Sequence, residues 1–212
     1  MEVKKKVSNM KSPTPSTKER IFDVSIDLFS KKGYNAVSIR EIAREVGIRE
    51  SSIYNHYPSK DAILDAIFAY FEKEMMKMRP PEAGNLDKIT PDIFRERVNR
   101  TLNILKTPKM EQIFRICSNE QFRDKRARKI ILYNLLKEPH QFTEKVLQKM
   151  LESKLIKPIN PKILSVEFQY PIYSLFLEYM LSRCEGTPID VVEEKISNHV
   201  KHFLNTIRRE IE

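Results

Sequence analysis

Tryptophan is absent from this chain of 212 residues, cysteine occurs twice and glycine four times. The two thiols, Cys117 and Cys184, stand far apart with no C-x-x-C spacing, which argues against a disulfide framework and a zinc module alike. No apolar run approaches the length that spans a bilayer, and the N-terminus carries Lys4, Lys5, Lys6 and Lys11 without an apolar segment behind them. A soluble, cytoplasmic protein is the expectation. Also missing are a glycine-rich phosphate loop, a nucleophile elbow and a zinc signature. With no catalytic constellation in view, the chain reads as a non-enzyme without cofactor or metal. Met75, Met76 and Met78 lack nearby Cys or His, and His199 with His202 sits at i, i+3 on an otherwise ordinary helix. Both groups read as packing or exposed faces rather than ligand sets.

What is present is apolar and charged residue in helical proportion. Hydrophobic residues make up 41% and charged residues 32%, a balance that suits a soluble helical fold. The formal net charge of +9 favours an anionic partner. Through Lys60 there are twelve Lys or Arg against seven acids, so the excess leans toward the N-terminus.

The most informative stretch is Ser38 to Lys60, SIREIAREVGIRESSIYNHYPSK. Ser38 with Glu41 reads as a capping box, and Ile39, Ile42, Ala43 and Val46 then make one apolar stripe that Gly47 closes. After a short turn, Ser51 to Tyr57 resumes helical spacing, with Ile53 and Tyr57 inward and Ser52, Tyr54, Asn55 and His56 outward, until Pro58 stops it. Two short helices about a glycine turn make a helix-turn-helix. Ahead of it, Ser16 with Glu19 opens a supporting helix whose stripe is Ile21, Val24, Leu28 and Phe29, closed by Gly33. Residues 1–15 combine Lys, Ser and Pro and read as a mobile basic arm, either a solvated tail or a segment that follows a nucleic-acid backbone.

Behind this unit, Ser59 caps a long helix carrying Ile63, Leu64, Ile67, Phe68, Phe71 and Met75 toward Met78, broken at Pro80 and Pro81. The pattern stays helical to the end, with Pro139 expected to kink or end one helix and Asn160 with Pro161 to start another. Between Ile172 and Leu181 the apolar residues cover most of the helix circumference, which implies contact with two surfaces. Together with the last helix, this surplus predicts a two-fold homodimer built as a four-helix bundle. Phe176, Tyr179, Met180, Val192, Ile196, Val200, Phe203 and Ile207 are the candidate interface.

Taken together, these residues resemble the tetracycline-repressor (TetR) family of transcription regulators. The likeness is strongest from Ile21 to Leu64. It rests on the step Lys32-Gly33-Tyr34, on Ser38 through Ile48 where relatives read T-x-x-x-I-A-x-x-x-G-V, and on Ile53 through Lys60 where they read L-Y-x-H-F-x-S-K. The resemblance implies an all-α protein in three parts: an arm over residues 1–15, a helix-turn-helix domain over 16–60, and a helical effector-binding and dimerisation domain over 61–212. By matched position, Ser38, Tyr54, His56 and Lys60 are the implied phosphate contacts. Arg40, Arg49, Glu50, Ser51, Ser52 and Asn55 are the base-reading candidates. Arg49 stands where relatives place a capping Ser or Thr, so base preference does not transfer.

The same resemblance implies a repressor that binds a palindromic operator as a homodimer and is released by a small effector in its second domain. Phe71, Met75, Leu102, Phe114, Cys117, Tyr133, Phe168, Tyr173 and Phe176 are the pocket candidates, and their character points to an apolar or amphipathic effector. Two other classes compete on the sequence alone. One is a helical small-molecule binder or enzyme with a vestigial basic helix-turn-helix. The other is a protein-binding adaptor whose helix-turn-helix is structural.

Overall fold

The computed structural model describes residues 15–77 and 90–209. The arm expected over residues 1–15 (apart from Pro15), the end of the long apolar face at Met78 and the break at Pro80 and Pro81 lie outside the described residues. Within them the chain is helical apart from turns and one isolated antiparallel bridge between Ile156 and Arg208. The helices are α1 (Thr17–Lys32), α2 (Ile39–Val46), α3 (Glu50–Tyr54), α4 (Lys60–Met76), α5 (Ile93–Leu105), α6 (Pro108–Glu120), α7 (Lys125–Lys129), α8 (Glu138–Glu152), α9 (Pro161–Glu185) and α10 (Asp190–Ile207), with a π-helical stretch, Ile130–Lys137, joining α7 to α8.

Local chemistry sets the helix ends. At α1 the Ser16 Oγ accepts from the Glu19 N–H at 3.3 Å while the Glu19 carboxylate accepts from the Ser16 N–H at 2.7 Å, a complete capping box. At α2 only half of the expected box forms. The Ser38 Oγ accepts from the Glu41 N–H at 3.1 Å, but the Glu41 carboxylate turns to the Lys32 ammonium at 2.6 Å. A charge-assisted bond to the neighbouring helix outcompetes a neutral N–H. Ser59 caps α4 through the Ala62 N–H, and Asn160 caps α9 with Pro161 as its first residue, both as the sequence predicts.

Pro139 does not end a helix. It is the second residue of α8, where a missing N–H matters least. The backbone reaches it through the π-helical stretch, with the Glu138 N–H bonded five residues back to the Tyr133 carbonyl. The wider π turn takes up the strain that a proline ring imposes on the carbonyl four residues earlier.

Two cores share α4. In the first, Ile21, Ile26 and Phe29 of α1 meet Ile42, Ile53, Ile63 and Leu64, all essentially without solvent exposure. Each such side chain contributes about 1.5–3 kcal/mol by leaving water. In the second, Phe94 of α5, Phe168 of α9 and Phe203 of α10 form a triangle of rings with centroids 4.5 to 5.4 Å apart. The first unit is also fastened to the second through α1 and α6. Lys109 pairs with Asp23 at 2.7 Å and the Gln112 amide donates to Asp27 at 3.1 Å.

The outermost helices correct one expectation. Tyr179, Met180, Val192, Ile196, Val200, Phe203 and Ile207 are buried inside the single chain, because α10 packs its whole stripe onto the second core. They are therefore not surface residues awaiting a second copy. Phe176 is half-buried and faces inward to a cavity. The apolar surplus of α9 instead points outward as Ile163, Val166, Tyr170, Leu177 and Leu181, which are 36% to 57% exposed, with Leu177 also bordering the cavity.

Candidate nucleic-acid interface and effector cavity

The helix-turn-helix is held by side chains that the sequence pattern did not single out for that purpose. Gly47 ends α2 at φ 77° and ψ 38°, the left-handed conformation glycine adopts without strain. The Arg20 guanidinium donates to the Val46 carbonyl at that same end. Lys60, expected to reach phosphate, is turned inward. Its ammonium donates to the Tyr34 carbonyl at 3.0 Å and the Val37 carbonyl at 2.8 Å and lies 4.3 Å from the centre of the Tyr34 ring. Two buried-side carbonyls in the α1–α2 connection make a better-organised partner than solvent, and they give Lys60 a positioning role in the free protein. Tyr34 packs edge-on against Phe29, which ties this connection to the core.

The reading helix is shorter than its sequence pattern. α3 begins at Glu50, with Arg49 in the cap position making no side-chain cap bond, and it ends at Tyr54. The N–H groups of His56 and Tyr57 both turn back to the Ile53 carbonyl at 2.9 Å, so Asn55 and His56 lie on a tight turn. Pro58 enforces this by disfavouring the helical conformation at Tyr57. Tyr57 itself is buried, and its phenol is pushed above the ordinary range by that burial and by Asp23. Ser38, Arg40, Arg49, Glu50, Ser51, Tyr54 and Asn55 are exposed, while Ser52 and His56 are half-buried. The exposed members of the two predicted sets therefore surround one solvent-facing helix on a rigid base, with Lys60 the member turned away.

Behind α4 lies a cavity of about 330 Å³. Five of the nine predicted residues line it: Met75, Phe114, Phe168, Tyr173 and Phe176. Phe71, Leu102 and Cys117 are packed core instead, and Tyr133 is half exposed on the outer side of the π-helical stretch. Burial holds the Cys117 thiol protonated by pushing its titration far up. The apolar pattern could not reveal the polar part of the wall. Arg97 pairs with Glu138 at 3.2 Å and lies 4.3 Å from the centre of the Phe142 ring, and Glu72 accepts from the Asn134 amide at 3.4 Å. The signal available in advance was weak: Arg97 occupies a core position of the α5 stripe, between Phe94 and Val98.

The wall also couples to the first unit. Glu72, Met75 and Met76 come from α4, and Asn134 and Leu135 from the π-helical stretch. At the near end of that stretch, Arg126 of α7 binds Asp61 at 2.7 Å, Asp65 at 2.7 Å and Asp124 at 2.5 Å, and so grips the first two turns of α4.

Residues 21–67 match the model of bacterial regulatory proteins of the tetR family. Among curated proteins, the chain is 39% identical over 82 residues to the HTH-type transcriptional regulator YerO of Bacillus subtilis, a match covering 38% of this chain and 28% of YerO. It is 42% identical over 81 residues to IcaR of Staphylococcus aureus, a negative transcriptional regulator of the biofilm operon icaADBC, covering 36% of this chain and 44% of IcaR. The matches thus span less than half of those relatives. Solved structures extend the likeness to the whole fold. A regulator from Aquifex aeolicus superposes with a TM-score of 0.66 at 25% identity, over 88% of this chain and 99% of its own. SmeT, solved as a triclosan complex, superposes with a TM-score of 0.69 at 13% identity, over 92% and 93%. The likeness to the tetR family of bacterial regulatory proteins is thus carried in sequence by residues 21–67, and beyond them by the fold.

Proposed function

We propose that this protein is a DNA-binding repressor that occupies a palindromic operator as a homodimer and is released by a small amphipathic effector. The observation that carries the reading is the sharing of α4 between the helix-turn-helix and a partly open cavity. In this reading the functional units run over residues 16–60 and 61–212, with the arm before them. Ser38, Tyr54 and His56 position the phosphate backbone, and Arg40, Arg49, Glu50, Ser51, Ser52 and Asn55 face the base edges. Similar proteins support the second site: SmeT has been solved with triclosan, and a regulator from Saccharomonospora viridis with choline.

The cavity wall defines the effector's chemistry. Phe114, Phe168, Tyr173 and Phe176 take an apolar body, and the Glu72–Asn134 and Arg97–Glu138 pairs take a polar end. A ligand that displaces Asn134 from Glu72 moves the π-helical stretch against α4, and Arg126 passes that movement to Asp61 and Asp65. By linkage, operator DNA lowers effector affinity by the same factor that effector lowers operator affinity. The second copy docks on the outward stripe of α9, where Ile163, Val166, Tyr170, Leu177 and Leu181 recur at helical spacing over most of its length.

The test is selection of bound fragments from genomic DNA, followed by titration of the selected operator at several salt concentrations. The reading expects log K to fall with log salt by about 0.9 per phosphate neutralised. Failure to enrich any fragment, or binding indifferent to salt, rejects it. Sedimentation of Leu181→Glu and Tyr170→Glu then decides the dimer face, with monomers expected.

A further inference from the structure

Five cations fall within the seven residues from Arg123 to Lys129, against a single acid, Asp124. They occupy the α6–α7 turn and α7, outside the helix-turn-helix. The turn is firmly built. The N–H groups of Arg123 and Asp124 bond to the Glu120 carbonyl at 2.9 and 2.8 Å, and the Arg128 guanidinium donates to the Gln121 and Phe122 carbonyls at 3.2 and 2.9 Å. At its apex Phe122 is 83% exposed, the most exposed large apolar side chain among the described residues. Arg123, Lys125, Arg128 and Lys129 are exposed too, and none of them pairs with a described acid.

The turn stands beside the start of α4. Asp61 and Asp65, both held by Arg126, lie within roughly 8 Å of that helix end along its axis. Tyr34, in the connection leading to Ser38, feels the charges of Asp61, Arg126 and Asp124. Without Arg126, the two aspartates would repel a phosphate backbone passing this corner. Arg126 offsets one of the three negative charges of Asp61, Asp65 and Asp124, and the exposed Arg123, Lys125, Arg128 and Lys129 turn the balance of the corner positive.

We propose that the α6–α7 turn is a second contact for DNA, with Arg123 and Lys125 on backbone phosphates beside the half-site and Phe122 against a deoxyribose. The contact reads no base and adds affinity rather than specificity. It lies in the effector domain, so it reports the position of α7 relative to α4 directly. The inference rests on the DNA-binding reading above, and the experiment separates the two.

The selected operator is prepared with about ten base pairs of flanking duplex on either side, one helical turn. Binding by the full-length protein is followed by anisotropy across a salt series. The double variant Arg123→Gln/Lys125→Gln removes two cations from each protomer of the dimer, and is expected to bind at least about tenfold more weakly and to lower the salt slope by roughly 3.6, four phosphates' worth. Phe122→Ser is expected to weaken binding about twofold with the slope unchanged, since it removes no charge. Lys145→Gln/Lys201→Gln, exposed on α8 and α10, removes the same charge at a distance and should leave the slope alone. An unchanged slope in the Arg123/Lys125 variant, or an equal change in the distant control, overturns the proposal while the DNA-binding reading stands. Absence of operator binding by the unaltered protein overturns both.

Discussion

In the helix-turn-helix unit, two long-range bonds from charged side chains go to backbone, beside the Lys32–Glu41 ion pair. Arg20 holds the Val46 carbonyl, and Lys60 holds the carbonyls of Tyr34 and Val37. Around the cavity, polar side chains are bonded to one another: Arg97 to Glu138, Asn134 to Glu72, Gln169 to Thr143. A bond to a carbonyl fixes the path of the chain. A bond between two side chains can be exchanged for one to a ligand with the backbone left in place. The first unit is thus arranged to present a fixed shape, and the second to be rearranged at modest cost.

The sharpest way to break that contrast is to remove apolar volume from each region. Ile53 is fully buried in the small first core, and Ile53→Ala is expected to cost about 2–5 kcal/mol and to abolish operator binding. Phe176 is half-buried on a wall that already borders open space, so Phe176→Ala should cost clearly less while changing which effectors bind. Chemical denaturation of both variants, read beside operator affinity, checks this. Equal destabilisation would mean that the cavity wall is as tightly packed as the reading unit.

Arg126 joins the regions and should give the next largest effect. Arg126→Met leaves Asp61, Asp65 and Asp124 without the cation they share, and the expected loss is about 1–3 kcal/mol. Arg126→Lys should rescue it only in part, because an ammonium cannot reproduce the fork that meets three carboxylates. Operator affinity in Arg126→Met should also become less responsive to any effector found by thermal-shift screening. Full retention of that response would remove Arg126 from the coupling route.

The same cluster gives a smaller, pH-dependent effect. Asp124 is held below the ordinary carboxylate range, first by its side-chain bond to Arg126 and then by the backbone N–H groups of α7. An unfolded aspartate titrates at about 3.9, so the native state binds fewer protons than the unfolded one just below that value. The contribution is complete above the unfolded value and is lost as pH falls through the lowered native one. Thermal melts in acid should therefore show a gentler loss of stability with falling pH in Asp124→Asn than in the natural protein.

How far the sequence foretold each region follows the same division. Caps, glycine turns and apolar stripes are local signals, so Ser16, Ser38, Gly47, Ser59 and Asn160 were all legible, and so was the buried set from Ile21 to Phe71. The inward bonds of Lys60 were not legible because its partners, Tyr34 and Val37, lie more than twenty residues away and offer only backbone. The cavity was half legible. Aromatic residues on a stripe do not show which of them meet neighbours and which meet a void, and nothing in the pattern marks Arg97, between Phe94 and Val98, as part of the wall. The burial of Tyr179 and Met180 was not legible for a related reason: α9 is apolar over most of its circumference between Ile172 and Leu181, and only the packing of α10 decides which side remains outward.

The smallest test compares two helix ends, one in each region. Gly47 ends α2 at φ 77° with nothing within 4 Å of the place a Cβ would occupy, so Gly47→Ala is opposed by backbone conformation alone and should destabilise by about 1 kcal/mol. Lys154 follows α8 at φ 57°, the one described non-glycine residue with a positive φ, and its backbone N–H and that of Leu155 bond back to the Leu151 and Met150 carbonyls. Lysine bears there the strain that glycine avoids in α2, so Lys154→Gly should stabilise by about 0.5–1 kcal/mol. The two substitutions differ in sign because the conformation is shared and the residue is not. If both changes proved neutral, the left-handed turns would be readily relaxed, and the rigidity claimed for the base of the reading helix would have to come from Arg20 and Lys60 alone.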